Sequence, residues 1–288
     1  MTTTTALDAR WAAVHAGLSR GWIETRQNLT ETAYVIGHAI PPVAYAAVLL
    51  FVRGKNVPGT DIAFGTMMLP GILGMTIVYG GLSGPVPSIT ADREDGTLLR
   101  AKATPNGMLG YLVGKIVMFA LTTLLGLTAI VIPGIMIVDH LILDARSWLL
   151  LAVLFVVGMV STVPMGVALG SLMKSSVQAM LVPSAVTLIM CVSGIFYPIT
   201  VLPTWLQWMA QAFPVYWLGL GARSAMLPAT MAAAEIGQSW RTVQMFAVLG
   251  LWAALGLLLA PILLRRMARR QSGSAVAKVR ERYMTKGY

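Results

Sequence analysis

Residues 111–138 read YLVGKIVMFALTTLLGLTAIVIPGIMIV, with Lys115 the only charged residue in the run. About 20 helical residues cross the hydrocarbon of a bilayer, and a helix is one of the few structures that satisfies its backbone polar groups there unaided. Working outward, comparable apolar runs occur at 33–52, 64–89, 147–172, 177–197 and 243–264. The chain as a whole is 57% apolar and 11% charged, against roughly 25% charge in a soluble domain. Mean hydropathy is +0.74. The expected fold class is therefore all-α: a polytopic membrane protein with six transmembrane helices. Pro41 and Pro42 are expected to kink the first, and Pro85 and Pro87 fall near the end of the second.

Two further helical elements are expected around this core. Residues 6–31 place Leu7, Trp11, Val14, Leu18, Trp22 and Leu29 on one stripe of a 3.6-residue helix, with Asp8, Arg10, Arg20, Glu24, Gln27 and Glu31 mostly elsewhere. Two Trp on the apolar face suit a helix lying in the headgroup layer; packing on another protein domain is the other reading. Residues 198–222, PITVLPTWLQWMAQAFPVYWLGLGA, carry no charge before Ala222 closes the stretch. Pro198, Pro203 and Pro214 leave segments too short to span, so a re-entrant or interfacial element is expected after the fifth span. A seventh span broken by prolines is the alternative. The chain thus divides into a start and amphipathic helix at 1–32, a six-span domain at 33–264 and a basic tail at 265–288. Thr2–Thr5 read as a disordered start, and no apolar signal segment follows Met1.

Charge orients this layout. With six spans, sixteen of the 21 Lys and Arg fall on the side of the two termini, eight of them in the tail from Arg265 to Lys286. Cytoplasmic loops are the basic ones, so both termini are expected in the cytoplasm of a cell-membrane protein, with membrane lipid as a contact for the tail. The net charge of +10 is not interleaved with aromatics, which argues against nucleic acid as a partner. Cys191, the single cysteine, allows no intrachain disulfide and reads as a small buried apolar residue. Gly80/Gly84 and Gly166/Gly170 read as close-packing pairs.

Between the second and third spans lies 91-ADREDGTLLRAKATP-105. Its start partly resembles the Asp-x-x-Asp-Gly-x-x-Ala-Arg motif of CDP-alcohol phosphatidyltransferases, whose carboxylates hold a divalent metal. Leu99 stands where that motif has Ala, and the next acidic residue after Asp95 is Asp139, beyond the third span. The ligand set is incomplete, so a membrane enzyme of this type is a remote alternative. No metal or cofactor site is expected. The nearest string to a phosphate loop, Gly110 to Ile116, has the wrong spacing. Span interiors hold almost no ionisable groups of the kind ion-coupled carriers use. The chain is therefore not expected to be an enzyme, and energy for any transport would come from a partner.

The sequence resembles the membrane subunits of type-2 ATP-binding-cassette exporters, the ABC-2 permeases. Asp92-Arg93-Glu94-Asp95-Gly96-Thr97-Leu98, followed by basic residues and Thr104-Pro105, is similar to that family's loop. So is the run from Ser193-Gly194-Ile195-Phe196-Tyr197-Pro198 through Leu202-Pro203-Thr204-Trp205-Leu206 to Phe213-Pro214-Val215-Tyr216. The resemblance implies two permease chains, as a homodimer or heterodimer, working with separate ABC ATPase subunits that hold the ATP and Mg. It implies a cytoplasmic coupling helix near 91–104 that uses Asp92, Arg93, Glu94, Asp95, Gly96, Thr97, Leu98 and Arg100. It also implies an outer cap on the pathway formed by Phe196, Tyr197, Pro198, Pro203, Trp205, Pro214 and Tyr216. The cargo it suggests is a drug- or antibiotic-like amphiphile, with glycan or lipid-linked export as the alternative.

Overall fold

The computed structural model describes residues 6–56 and 63–270. The expected start at 1–5 and the basic tail beyond Arg270 lie outside the described residues. Among those described the chain is helical, and its one β feature is an isolated bridge between Asn56 and Ala63.

Five helical runs are long and apolar enough to cross a membrane. They are α2 (Thr32–Val52), the run from α3 (Phe64–Val78) through a π-helical turn (Tyr79–Ser83) into α4 (Pro85–Glu94), α6 (Gly107–Ile137), α7 (Ala145–Leu172) and α11 (Thr242–Arg270). The run expected at 177–197 is a shorter helix, α8 (Ser176–Cys191). At about 1.5 Å per residue it is shorter than the roughly 30 Å hydrocarbon layer. Helix α2 stays helical through Pro41 and Pro42. Asp144 caps α7: its Oδ1 accepts from the Ser147 N–H at 2.7 Å. Those bonds to Ser147 hold its carboxyl below the usual value.

Helix α1 (Ala6–Thr30) packs along α6. It does so with its small residues: Ala13, Gly17, Gly21 and Thr25 are buried, whereas Trp11 and Trp22 are 63% and 61% exposed. A Cβ on Gly17 would lie 2.6 Å from the Gly110 carbonyl oxygen, and one on Gly21 would lie 2.6 Å from that of Gly114. Real Cβ atoms do not approach backbone that closely, so these glycines set the distance between the helices. The Trp stripe therefore faces away from the protein core. The side chain of Leu7 lies outside what is described.

The stretch after α8 forms two short helices, α9 (Thr204–Ala212) and α10 (Pro214–Met226), with Pro214 at the start of the second. Proline suits that position because its fixed φ matches the helix and its missing N–H has no partner to lose. Helix α9 exposes Trp205, Trp208 and Met209. Helix α10 is buried against α3 and α7 almost throughout. Cys191 is exposed. The expectation of burial fails because Cys191 ends α8, a helix that also presents Val177, Met180, Leu181 and Leu188 outward.

Candidate functional site

The charged segment at 91–105 is a bent pair of helices. Helix α4 ends at Glu94, Gly96 turns the chain at φ +80°, and α5 (Thr97–Lys102) follows. That left-handed conformation is open to glycine at little cost and to few other residues. Asp95 supports the turn, with its Oδ1 accepting from the Thr97 N–H at 2.8 Å. Leu98 and Ala101 fix α5 by burial.

The structure separates the charged residues of this segment into two groups. Asp92, Arg93 and Glu94 are committed within the chain. Arg93 donates to the carbonyls of Met173 and Lys174, which link α7 to α8. Glu94 Oε1 accepts from Ser176 Oγ at 2.7 Å. Asp92 Oδ2 accepts from Tyr111 Oη at 2.6 Å and pairs with Lys115 Nζ at 2.7 Å. Asp95 and Arg100 are exposed, as are Lys102 and the residues from Ala103 to Asn106. Among the described residues the Arg100 side chain bonds only Thr97 of its own helix, at 3.1 Å. Lys102 Nζ reaches the Ala268 carbonyl of α11 at 3.4 Å. Thr97 is half-buried, and Gly96 and Leu98 are buried.

Behind the segment lies an ionic cluster that the sequence reading did not identify. Lys115, with a side chain only 4% exposed, pairs with Glu24 Oε2 at 3.0 Å as well as with Asp92. Its third contact is Ser88 Oγ at 3.1 Å. Arg20 pairs with Glu24 Oε1 at 2.7 Å and stacks its guanidinium 4.8 Å from the Tyr111 ring centre. The cluster joins α1, α4 and α6. Burial alone would raise the Glu24 carboxyl, but the Lys115 ammonium and then Arg20 outweigh it and hold the group below its ordinary value. One signal was available in the sequence: a lysine five residues into a 28-residue apolar run needs a partner.

Above the cluster a cavity of about 1010 Å³ opens between α1, α2, the α3–α4 run and α6, reached by Thr187 and Met190 of α8. The carboxylates of the charged loop do not converge on it as a metal site. Asp92, Glu94 and Asp95 bind three different partners, and no group of three His, Cys, Asp or Glu that could hold a metal occurs among the described residues.

The residues expected to form a cap lie at the other end of the helices and fall into two layers. Pro203 and Trp205 are exposed, Phe196 and Tyr197 are half-buried, and Pro198, Pro214 and Tyr216 are buried. Tyr197 Oη donates to the Cys191 carbonyl at 2.9 Å. Sequence reasoning missed the buried pair beneath them. Arg223 Nε approaches Glu235 Oε1 at 2.9 Å, with side chains 2% and 1% exposed. The approach lacks hydrogen-bond geometry, so charge holds it. Arg223 Nη1 donates to the Gly194 and Ile195 carbonyls, both at 3.2 Å.

An all-helical bundle with five runs long and apolar enough to cross a membrane defines the class: a multi-pass membrane protein. A family profile described as ABC-2 type transporter matches residues 15–227, and the chain belongs to that family. It is a transmembrane subunit of an ABC transporter, a family that works with ABC ATPase partners. No curated protein matches the sequence.

Proposed function

We propose that this chain is the membrane half of an ATP-driven exporter, coupled to a separate ATPase through the segment at 91–104. The observation that carries this is the division of charge in the segment. Asp92, Arg93 and Glu94 hold it rigidly to three parts of the bundle, while Asp95, Arg100 and the turn to Asn106 remain outward. A rigid element with a free, mixed-charge face suits docking into a partner groove, where charge sets register. In this reading α8, continued by residues 192–197, completes six spans, and both termini are cytoplasmic. Helix α1 lies in the headgroup layer with its Trp face outward, and α9 with α10 forms the re-entrant cap on the far side. A second permease chain completes the pathway, in a homodimer or a heterodimer. The cargo is a drug- or antibiotic-like amphiphile; glycan or lipid-linked export is the second reading within the family.

Co-purification with the ATPase tests the coupling role. Asp95→Lys with Arg100→Glu is expected to abolish association and transport-stimulated ATP hydrolysis while the permease accumulates normally. Unchanged association and stimulation refute it. The purified chain alone is expected to hydrolyse no ATP. On a Cys191→Ala background, Thr230→Cys should react with an impermeant thiol reagent in intact cells and Asn106→Cys only after permeabilisation. The reverse pattern refutes the orientation.

A further inference from the structure

We propose that the outward face of α11 holds an anionic phospholipid, with its phosphate on Arg265, Arg266 and Arg269 and an acyl chain along the apolar stripe that leads to them. Helix α11 has two faces at this end. Leu264, Met267 and Ala268 are buried against the bundle, where Lys102 of α5 reaches the Ala268 carbonyl. Leu251, Leu255, Leu258 and Ile262 are exposed on the other side, and so are the three arginines. At 3.6 residues per turn, these exposed residues fall within an arc of about 100°, one continuous stripe. Its register fits a bilayer. From Thr242 to Ile262 the helix runs about 30 Å, the thickness of the hydrocarbon layer. The step from Arg265 to Arg269 adds about 6 Å, the depth of the headgroup layer on one side. Ile262 and the three arginines line an open hollow of about 510 Å³.

Charge selects the occupant. No acidic residue lines the hollow. Among the described residues none of the three arginines makes an ion pair or a hydrogen bond. An arginine fork matches phosphate oxygens two at a time, so a net-negative headgroup answers donors that the protein does not. The ammonium of a phosphatidylcholine or phosphatidylethanolamine headgroup would meet no carboxylate here. Position selects a lipid over a soluble anion or an acidic protein surface. Ile262 lies about one turn before Arg265 and Arg266 on the same face. Whatever touches the arginines at this depth is therefore continuous with what covers the apolar stripe, and in a bilayer that is lipid. The inference requires that α11 spans the membrane, as its length and composition allow. It does not depend on coupling, cargo or orientation.

The test uses the full-length chain, one per nanodisc, in phosphatidylcholine carrying a trace of phosphatidylglycerol with a photoreactive diazirine in its acyl chain. Labelling, read by peptide mass spectrometry, is expected to concentrate on 251–269 and to be displaced by unlabelled phosphatidylglycerol. The same diazirine on phosphatidylcholine should label that stretch no more than the other lipid-facing helices. Each arginine beside an anionic headgroup is worth about fivefold in affinity. Arg265→Gln with Arg269→Gln should therefore weaken the phosphatidylglycerol about 25-fold. Both side chains are exposed and unbonded, so the fold does not depend on them. Arg10→Gln with Arg26→Gln removes as much charge from exposed positions on α1 and should leave the α11 label unchanged. Equal labelling of 251–269 by the two probes, or labelling untouched by the Arg265 and Arg269 changes, overturns the proposal. Displacement by soluble glycerol 3-phosphate as effective as that by phosphatidylglycerol assigns the arginines to a soluble phosphate and overturns it too. Loss of the label in discs that hold two chains assigns the face to a second copy, with the same consequence. Because no ATPase is present, failure here leaves the coupling role of 91–104 untouched, and failed co-purification with the ATPase leaves the lipid site untouched.

Discussion

Replacing Lys115 with Met removes the centre of the ionic cluster while keeping a side chain of similar length. The lysine is 4% exposed and sits 2.7 Å from Asp92 and 3.0 Å from Glu24. Removing one partner of a buried pair costs about 3–5 kcal/mol, because the remaining charge stays desolvated. Two features put the cost at the low end. Arg20 still pairs with Glu24, and Tyr111 still donates to Asp92. The carboxylates are also 20% and 16% exposed and so keep some water. We expect Lys115→Met to destabilise by about 3 kcal/mol. Lys115→Met with Asp92→Asn removes the orphaned charge as well and should cost about 1 kcal/mol. The double variant is thus more stable than the single, the non-additivity expected of two residues in one ionic network. The assay is reversible unfolding in mixed micelles, followed by the fluorescence of the chain's eight Trp. A Lys115→Met protein within about 0.5 kcal/mol of the parent, or a double variant equal to the sum of the singles, refutes the reasoning.

Gly21→Leu should release α1 from α6, since even a Cβ there lies 2.6 Å from the Gly114 oxygen and 2.7 Å from Val117 Cβ. Trypsin cleavage at Arg10, Arg20 or Arg26 in membranes should rise, while Gly37→Leu, which meets open space, leaves it unchanged. The Glu24 carboxyl is held below its ordinary value of 4.5. Its contribution is complete above that value and is lost as pH falls through the lower folded value. The stability gap between parent and Glu24→Gln should therefore be flat from about pH 8 to about pH 5 and shrink below pH 4.5. A gap that widens on acidification contradicts the assignment. Arg223→Leu strands a carboxylate that is 1% exposed and should cost about 3–5 kcal/mol. Adding Glu235→Leu should recover most of it, and a double variant less stable than the single would show that the pair is not the interaction lost.

The apolar runs made most of the fold legible, because length and lack of charge decide what a bilayer accepts. The segment at 91–105 was legible as a charged stretch between two apolar runs, and in the structure Gly96 turns it at positive φ. What escaped was pairing. Lys115 and Glu24 are 91 residues apart, and Arg223 and Glu235 belong to a helix and a loop with no shared period. No local pattern distinguishes a charge awaiting water from one awaiting a distant partner. Helix α1 shows the same limit in another form. Its Trp stripe dominates any reading of amphipathicity, yet the face that packs is Ala13-Gly17-Gly21-Thr25. Burial drives large residues inward in water. Between helices in lipid that drive is absent, and small residues win because they allow backbones to approach.

These two kinds of contact give the charged segment its mechanical position. Asp92 ties α4 to α6 and, through Lys115, to α1. Arg93 and Glu94 tie it to the α7–α8 link, and Lys102 reaches the end of α11. A displacement of α5 in the proposed coupling role would thus act on the bundle through directional charge contacts as well as through apolar packing. Such contacts have discrete made and broken states, which is what a two-state element requires. The close α1–α6 packing has the opposite character: glycine backbone contacts leave little slack, so α1 and α6 should move as one body. On this argument the Asp92–Lys115 contact between α4 and α6 is where the bundle would switch, and the glycine seam between α1 and α6 is where it would not.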